Sequence, residues 1–288
     1  MFVVAADSLN YLEALLLGIV QGLTEFLPIS SSAHLRITSA LAGWGDPGAA
    51  FTAVTQLGTE LAVVLYFGRD IIRIARAWFA SLPARRWPQD ADARMGWLVI
   101  FGSMPIVLLG LLLEDPIDSA FRDLRLIALN LVIFGVLLGF ADRLARSDRS
   151  LEQLTVRHGL IYGFAQAMAL LPGVSRSGGT ITAGRLLGYD REAATRFAFL
   201  LAIPAVFGSG IYKLKDIGAA DGGTGWGPTI FATVVAFAVG YAVIAWLLRY
   251  LRTRSYLPFV VYRVALGLFV LLLVAAGALH PESGYVAP

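Results

Sequence analysis

Six long apolar segments set the fold of this chain, because each is long enough to cross a lipid bilayer. A helix rises 1.5 Å per residue and the hydrocarbon core is about 30 Å thick, so about twenty apolar residues span it. Only 15% of the residues are charged, against about 25% in soluble domains. We therefore predict an all-α polytopic membrane protein. The predicted spans are 48–68, 95–113, 124–141, 195–214, 228–250 and 258–279.

Two further apolar segments, 9–42 and 156–188, are interrupted. The first breaks at LPISSSAH (27–34) and the second at LPGVSRSGGT (171–180). Neither half of either segment spans a bilayer alone, and non-helical backbone at membrane depth needs protein or water to satisfy its polar groups. We predict two re-entrant helical hairpins, each of which returns to the side that it entered.

The two halves of the chain also repeat each other. After a shift of 145 residues, Gly18, Gln21, Ser30, Ser32, Leu41 and Gly43 fall on Gly163, Gln166, Ser175, Ser177, Leu186 and Gly188. Each half has one broken hairpin and three spans, so the second half starts from the opposite side of the membrane. We predict one integral membrane domain over 1–288, built as an inverted-topology repeat. Repeat one is about 9–142 and repeat two is about 156–279.

The distribution of basic residues predicts the orientation. The loops 69–94, 142–158 and 249–255 hold six, four and three Arg. The alternate loops 114–125 and 213–227 hold only two Arg and two Lys. Basic loops stay in the cytoplasm, so both termini are expected outside it. The first hairpin then dips from outside and the second from the cytoplasm, and their tips meet near the midplane.

Glu25, His34 and Arg176 lie inside the broken hairpins. A charge at the membrane centre costs at least about 2.5–3.5 kcal/mol unless it is paired or hydrated, so such residues are functional candidates. One alternative is a structural ion pair between the hairpins, Glu25 with Arg176. That alternative does not explain the Ser clusters around both charges.

The second tip, 172–180, has the composition of an anion cradle. Its glycines allow close backbone approach, its hydroxyls donate hydrogen bonds, and the planar fork of Arg176 matches phosphate oxygens. A Ser-capped helix start is the simpler alternative. Both can hold, but capping does not require the arginine.

The first tip adds groups that chemistry on a phosphate needs. Glu25 is a candidate base or cation ligand, and the serines 30–32 include a candidate nucleophile. His34 either transfers a proton or attacks phosphorus itself. Positioning and charge stabilisation dominate phosphoryl transfer, so the two tips together favour that reaction class. The absence of Cys excludes thiol chemistry, three His without Cys argue against zinc, and no long basic block points to nucleic acid.

Polar residues inside the spans are weaker signals. We interpret Glu60 as lining the cavity, expect Arg263 to snorkel to the cytoplasmic end of its span, and expect Asn130 to join helices. Hydrogen bonding between helices explains the uncharged members of a polar stripe in span 48–68. Those members are Thr52, Thr55, Gln56 and Thr59.

Two motifs, QGLTEFLPISSSAHL (21–35) and PGVSRSGGTI (172–181), resemble the undecaprenyl-diphosphate phosphatase family, the BacA-type bacitracin-resistance proteins. They occur in the family's order and separation, and the segment pattern fits along essentially the whole chain. The resemblance implies an enzyme of the bacterial inner membrane that hydrolyses undecaprenyl diphosphate to undecaprenyl phosphate and inorganic phosphate. That reaction recycles the lipid carrier for peptidoglycan synthesis and is tied to bacitracin resistance.

The resemblance also implies roles for individual residues. The catalytic candidates are Glu25, Ser31, His34 and Arg176. The substrate-binding candidates are Gln21, Thr24, Ser30, Ser175, Ser177, Gly178 and Thr180. Gln21 is the neutral variant of a position that is Glu or Gln in the family, so Glu25 is the only candidate metal ligand at the tip. The resemblance further implies that the protein uses a divalent cation (Mg²⁺ or Ca²⁺) and no organic cofactor. It also implies a homodimer.

The alternative function is a secondary transporter or flippase of a phosphorylated polyprenyl lipid. Inverted repeats with paired broken helices are common in transporters, and fold does not decide function. A transporter needs an anion site but no nucleophile, so Glu25, Ser31 and His34 favour the enzyme. Phosphate release in detergent, where transport cannot occur, distinguishes the two.

Overall fold

The computed structural model describes residues 9–84, 87–114, 117, 120–217 and 224–283, and within them it contains α-helices and no β-strand. The helices, in chain order, are α1 (Tyr11–Thr24), α2 (Ser31–Ala42), α3 (Gly48–Tyr66), α4 (Gly68–Ser81), α5 (Ala91–Leu112), α6 (Leu124–Leu144), α7 (Val156–Ala167), α8 (Arg176–Leu186), α9 (Arg191–Lys213), α10 (Trp226–Leu251) and α11 (Leu257–Ala275).

Six of these helices are long and apolar enough to cross a membrane: α3, α5, α6, α9, α10 and α11. Each coincides with a predicted span to within a few residues, and a 3-10 turn extends α9 to Asp216. Large apolar side chains on these helices are exposed, as a surface that faces lipid requires. The chain is therefore an all-α, multi-pass membrane protein, as predicted.

The two interrupted segments form pairs of short helices. The first pair, α1 and α2, has 14 and 12 residues, and the second pair, α7 and α8, has 12 and 11. At 1.5 Å per residue each helix is about 16–21 Å long, which is less than the hydrocarbon thickness. The members of each pair pack against each other. These features are compatible with re-entrant hairpins, whose depth in a bilayer stays a prediction.

Helix packing follows the same pattern in both halves. Helix α1 packs on α10 while α7 packs on α5, and α3 also contacts α10 while α9 contacts α5. Where α7 crosses α5, a Cβ at Gly163 would lie 2.4 Å from the carbonyl oxygen of Gly102, so only glycine allows this approach. The exchanged pairing is compatible with an inverted repeat, and the repeat boundaries stay a prediction.

Helix α4 lies in the segment 69–94, which we predicted to be a loop. It has an apolar edge, in which Ile71 and Ile74 pack on the core, and a basic face that includes Arg73. Arg73 forms ion pairs with Asp70 and Asp92. Because arginines recur every three or four residues, the segment is too polar for a span, yet this spacing is typical of an amphipathic helix.

Candidate active site at the two hairpin tips

Both hairpins turn at a serine with the same unusual backbone. Ser30 has φ 76° and Ser175 has φ 73°, a region that costs a non-glycine residue about 1–3 kcal/mol. Each is the N-cap of the following helix, and its hydroxyl accepts from the backbone N–H three residues later. The capping alternative is therefore present at the second tip, and the two tips share one local geometry at equivalent positions.

The two tips contact each other directly. The hydroxyl of Ser30 accepts from Gly173 N at 3.2 Å, and the hydroxyl of Ser177 donates to Leu27 O at 3.1 Å. Asn130 on α6 donates to Pro172 O at 2.9 Å, so it joins helix and tip as expected. The tips thus contact each other, as predicted, and the contact consists of hydrogen bonds between side chains and backbone.

Arg263 holds both tips, which corrects the expectation that it snorkels. Its side chain is fully buried, and it donates to Pro28 O at 2.9 Å on the first tip. On the second tip it donates to Gly173 O and Val174 O, at 2.8 and 2.9 Å. A Cβ at residue 178 would lie 2.6 Å from Arg263 Nη1, so Gly178 makes room for the guanidinium. The tips leave carbonyls unpaired where their helices break, and the arginine satisfies them.

Glu25 lies at the centre of the candidate site. Its Oε2 accepts from Gln21 Nε2 and from Ser31 Oγ, both at 2.6 Å, and its Oε1 pairs with Arg176 Nη2. Four predicted site residues therefore meet, and the ion pair left as a structural alternative does form. A structural ion pair would not need the Ser31 hydroxyl on the same carboxylate, whereas a nucleophile needs such a base.

His34 is turned away from this group. Its Nδ1 lies 2.7 Å from Ser30 O, and since a carbonyl only accepts, Nδ1 carries the hydrogen. Its Nε2 lies 2.7 Å from the hydroxyl of Tyr262 on α11, and the two rings stack with centroids 5.5 Å apart. No motif indicated Tyr262, because 228 residues separate it from His34.

Two predicted substrate-binding hydroxyls bond within their own helices. Thr24 donates to Val20 O at 2.6 Å and Thr180 donates to Arg176 O at 2.7 Å. Such bonds leave an oxygen lone pair but no hydrogen for a ligand. These residues shape the tips in this arrangement.

A cavity of about 390 Å³ leads from the second tip to one end of the helices, within the size range of small-molecule sites. Arg176, Pro172 and Ser32 line its inner end, and charged Glu114 and Lys213 line its outer end. Apolar residues of α5 and α9 form the walls between them, among them Ile106, Val107, Leu111, Ala205 and Val206. The cavity therefore has apolar walls and polar ends, and the guanidinium of Arg176 lies at its inner end.

A cluster of two arginines and one acid, which the sequence analysis did not identify, lies beside this cavity. Asp46 accepts from Arg122, which lines the cavity, and pairs with Arg36 at 3.3 Å. Arg36 is buried on α2, two residues after His34. The cluster ties the loop after α2 to the start of α6.

Unpaired oxygens lie beside the Glu25 network. Glu60 is fully buried, and neither of its carboxylate oxygens accepts a hydrogen bond. Gln21 Oε1 is also buried and unpaired. Among the described residues that line the cavity, Gln56 is present and Glu60 is not, which corrects the interpretation of Glu60 as a lining residue. Hard cations such as Mg²⁺ prefer oxygen ligands of this kind, so these atoms fit the implied cation.

Comparison with known proteins assigns the family. The model of the bacitracin resistance protein BacA family matches residues 14–269. The chain belongs to the BacA family. Among its relatives, Undecaprenyl-diphosphatase 3 of Frankia alni is 60% identical over 97% of this chain and 100% of its own length. Undecaprenyl-diphosphatase of Nocardioides sp. is 62% identical over 94% of this chain and 98% of its own length, and that of Thermobifida fusca is 60% identical over 96% and 94%.

Proposed function

We propose that this membrane protein hydrolyses undecaprenyl diphosphate to undecaprenyl phosphate and inorganic phosphate. Its BacA relatives carry the name undecaprenyl-diphosphatase and are similar along nearly their whole length, which supports the same reaction. The reaction recycles the lipid carrier of cell-wall synthesis in the bacterial inner membrane. The family description connects it with bacitracin resistance.

One observation carries the mechanism: the 2.6 Å hydrogen bond from Ser31 Oγ to Glu25 Oε2, directly beside Arg176. Glu25 takes the hydroxyl proton as Ser31 Oγ attacks the terminal phosphorus. The bond from phosphorus to the bridging oxygen breaks, and undecaprenyl phosphate leaves. Water then hydrolyses the phosphoserine and releases inorganic phosphate.

The remaining residues bind and orient the substrate. Arg176 exchanges its contact with Glu25 for the diphosphate, with the backbone of 175–180 and the Ser175 hydroxyl around it. Gln21 and Ser30 hold the first tip in place. His34 assists in proton transfer through Nε2, the nitrogen that faces Tyr262, and Ser31 rather than His34 is assigned as the nucleophile because it contacts the carboxylate.

The cavity suits a lipid with a diphosphate head. Its inner end presents Arg176, and its apolar walls between α5 and α9 accept the first part of a polyprenyl chain. The implied Mg²⁺ or Ca²⁺ would neutralise phosphate charge, and Glu25 would hold it. A homodimer and termini outside the cytoplasm complete the proposal.

Phosphate release by the purified protein in detergent tests this function. We expect inorganic phosphate from undecaprenyl diphosphate, and a loss of about a thousandfold or more in kcat/KM for Arg176→Ala, because the substrate charge loses its clamp. Arg249→Ala, an exposed arginine at the end of α10, is the control. A wild-type protein that releases no phosphate but moves the lipid across vesicles would support the transporter instead.

A further inference from the structure

Glu60 of α3 is a buried acid for which the reaction above gives no role. Its side chain is fully buried, and both carboxylate oxygens lack a hydrogen-bond donor. The nearest cationic atom that pairs with it is Arg176 Nη2, at 3.9 Å from Oε2. An ionised carboxylate in such a place is costly without a partner. A positive charge closer than Arg176 would remove this cost.

One nitrogen atom separates two carboxylates. Arg176 Nη2 forms the ion pair with Glu25 Oε1 and is also the atom 3.9 Å from Glu60. When Arg176 turns to a diphosphate, as the proposed function requires, Glu25 and Glu60 both lose the nitrogen that lies between them. Two neighbouring carboxylates repel each other unless a cation or a proton is shared between them.

Gln21 supplies a further oxygen at this place. Its amide nitrogen donates to Glu25 Oε2 at 2.6 Å, which leaves Oε1 buried and unpaired. Mg²⁺ typically binds one or two carboxylates and completes its shell with water and substrate phosphates. No cluster of three or more His, Cys, Asp or Glu occurs in the described part of the chain, and a cation of this kind does not need one.

We infer that Glu60 is a ligand of a divalent cation, which it holds together with Glu25 and Gln21 Oε1. The inference rests on the proposed function, because the diphosphate draws Arg176 away and completes the shell with its oxygens. Thr52, Gln56 and Glu60 lie on one face of α3 at intervals of four residues, and the first two line the cavity. The ion therefore has a polar path from the cavity, and the stripe seen in the sequence gains a role.

Binding of Mn²⁺, followed by electron paramagnetic resonance on the purified full-length protein, tests the inference without an activity assay. Arg176→Ala removes the guanidinium that occupies the position of the ion. This variant should bind one Mn²⁺ per chain at least about tenfold more tightly than wild type, although it is inactive. Adding Glu60→Gln should weaken that binding by about tenfold or more, whereas adding Glu192→Gln, a partly buried acid on α9 that pairs with Arg196, should not.

The inference is wrong if Arg176→Ala binds Mn²⁺ no more tightly than wild type, or if Glu60→Gln leaves the tight binding intact. Should Arg176→Ala not fold, Arg176→Gln takes its place in the same comparison, and equal Mn²⁺ affinity with and without Glu60→Gln overturns the inference. Phosphate release is a separate readout. A protein that releases phosphate but shows no Glu60-dependent Mn²⁺ site contradicts the cation site only, and the reverse result contradicts the phosphatase only.

Discussion

His34 and Tyr262 come from opposite ends of the chain, and their contact fixes the orientation of the histidine. One ring nitrogen is held by Ser30 O and the other faces the tyrosine hydroxyl, both at 2.7 Å. Tyr262 is itself 44% exposed on α11. We therefore predict that Tyr262 acts through His34, as a positioning residue.

Replacing the hydroxyl tests this role. Tyr262→Phe keeps the stacked ring but removes the hydrogen bond, so we expect kcat for phosphate release to fall by about tenfold with KM little changed. The pH dependence of kcat should also shift, because the histidine loses its partner. Tyr241→Phe, on an equally exposed tyrosine of α10, is the control. Identical kinetics for the two variants would contradict the positioning role.

Residues differ in how far the sequence reveals them. Glu25 and Arg176 can be identified from the sequence alone, because a charged residue inside an apolar segment is unusual. Tyr262 and Glu60 lie within ordinary spans, and their roles appear only when α11 and α3 pack around the tips. The expectation that Arg263 snorkels was wrong because it rested on the position of the residue near the end of its span. The carbonyls at the two tips, which the arginine satisfies, cannot be located from the sequence.

Among the helices, α11 has a special part, since it carries the arginine that binds both hairpins. Arg263 joins Pro28 O of one tip to Gly173 O and Val174 O of the other. The short helices α2 and α8 therefore start at positions that a span controls. This arrangement keeps the serine and the arginine of the candidate site in fixed register.

Arg263→Lys should destabilise the protein, because one ammonium cannot reach carbonyls on both tips. Hydrogen bonds from charged donors contribute about 1.5–3 kcal/mol each, so we expect a loss of about 3 kcal/mol. For a chain of this size that corresponds to a fall in Tm of about 5 °C. Thermal unfolding in detergent measures it, with Arg249→Lys on the exposed face of α10 as the matched control. Equal Tm values would show that Arg263 does not hold the tips.

Hydropathy was sufficient for the six spans and failed for α4. A membrane span is a property of composition over about twenty residues, and tertiary contacts change it little. Helix α4 depends on which face of an arginine-rich segment meets the core, and composition does not contain that information. The hairpin breaks were predictable because Pro28 and Pro172 stand before serine clusters.

For the whole molecule, orientation is the property that the arrangement of helices does not determine. The arginine-rich loops predict which ends of the spans face the cytoplasm. The two halves of the chain share few identical residues, yet Ser30 and Ser175 have the same strained backbone conformation and the same capping pattern. Local chemistry at the tips is thus more similar between the halves than the sequence suggests.

Cysteine labelling determines the orientation, and the native chain contains no Cys that would interfere. We expect a membrane-impermeant maleimide to label Glu282→Cys in the C-terminal tail of intact cells. Thr253→Cys, in the loop after α10, should react only after the cells are made permeable. Both positions are exposed, so access alone decides the result. The reverse pattern would place the termini in the cytoplasm.

The decisive measurement compares two serine-to-alanine variants of α2 in the release of phosphate from undecaprenyl diphosphate. Ser31 donates to Glu25, whereas Ser39 is fully buried and its hydroxyl has no partner. If Ser31 Oγ attacks phosphorus, Ser31→Ala should lower kcat by at least about a thousandfold, and Ser39→Ala should stay close to wild type. Equal and near-normal rates for both variants would contradict a nucleophile at Ser31.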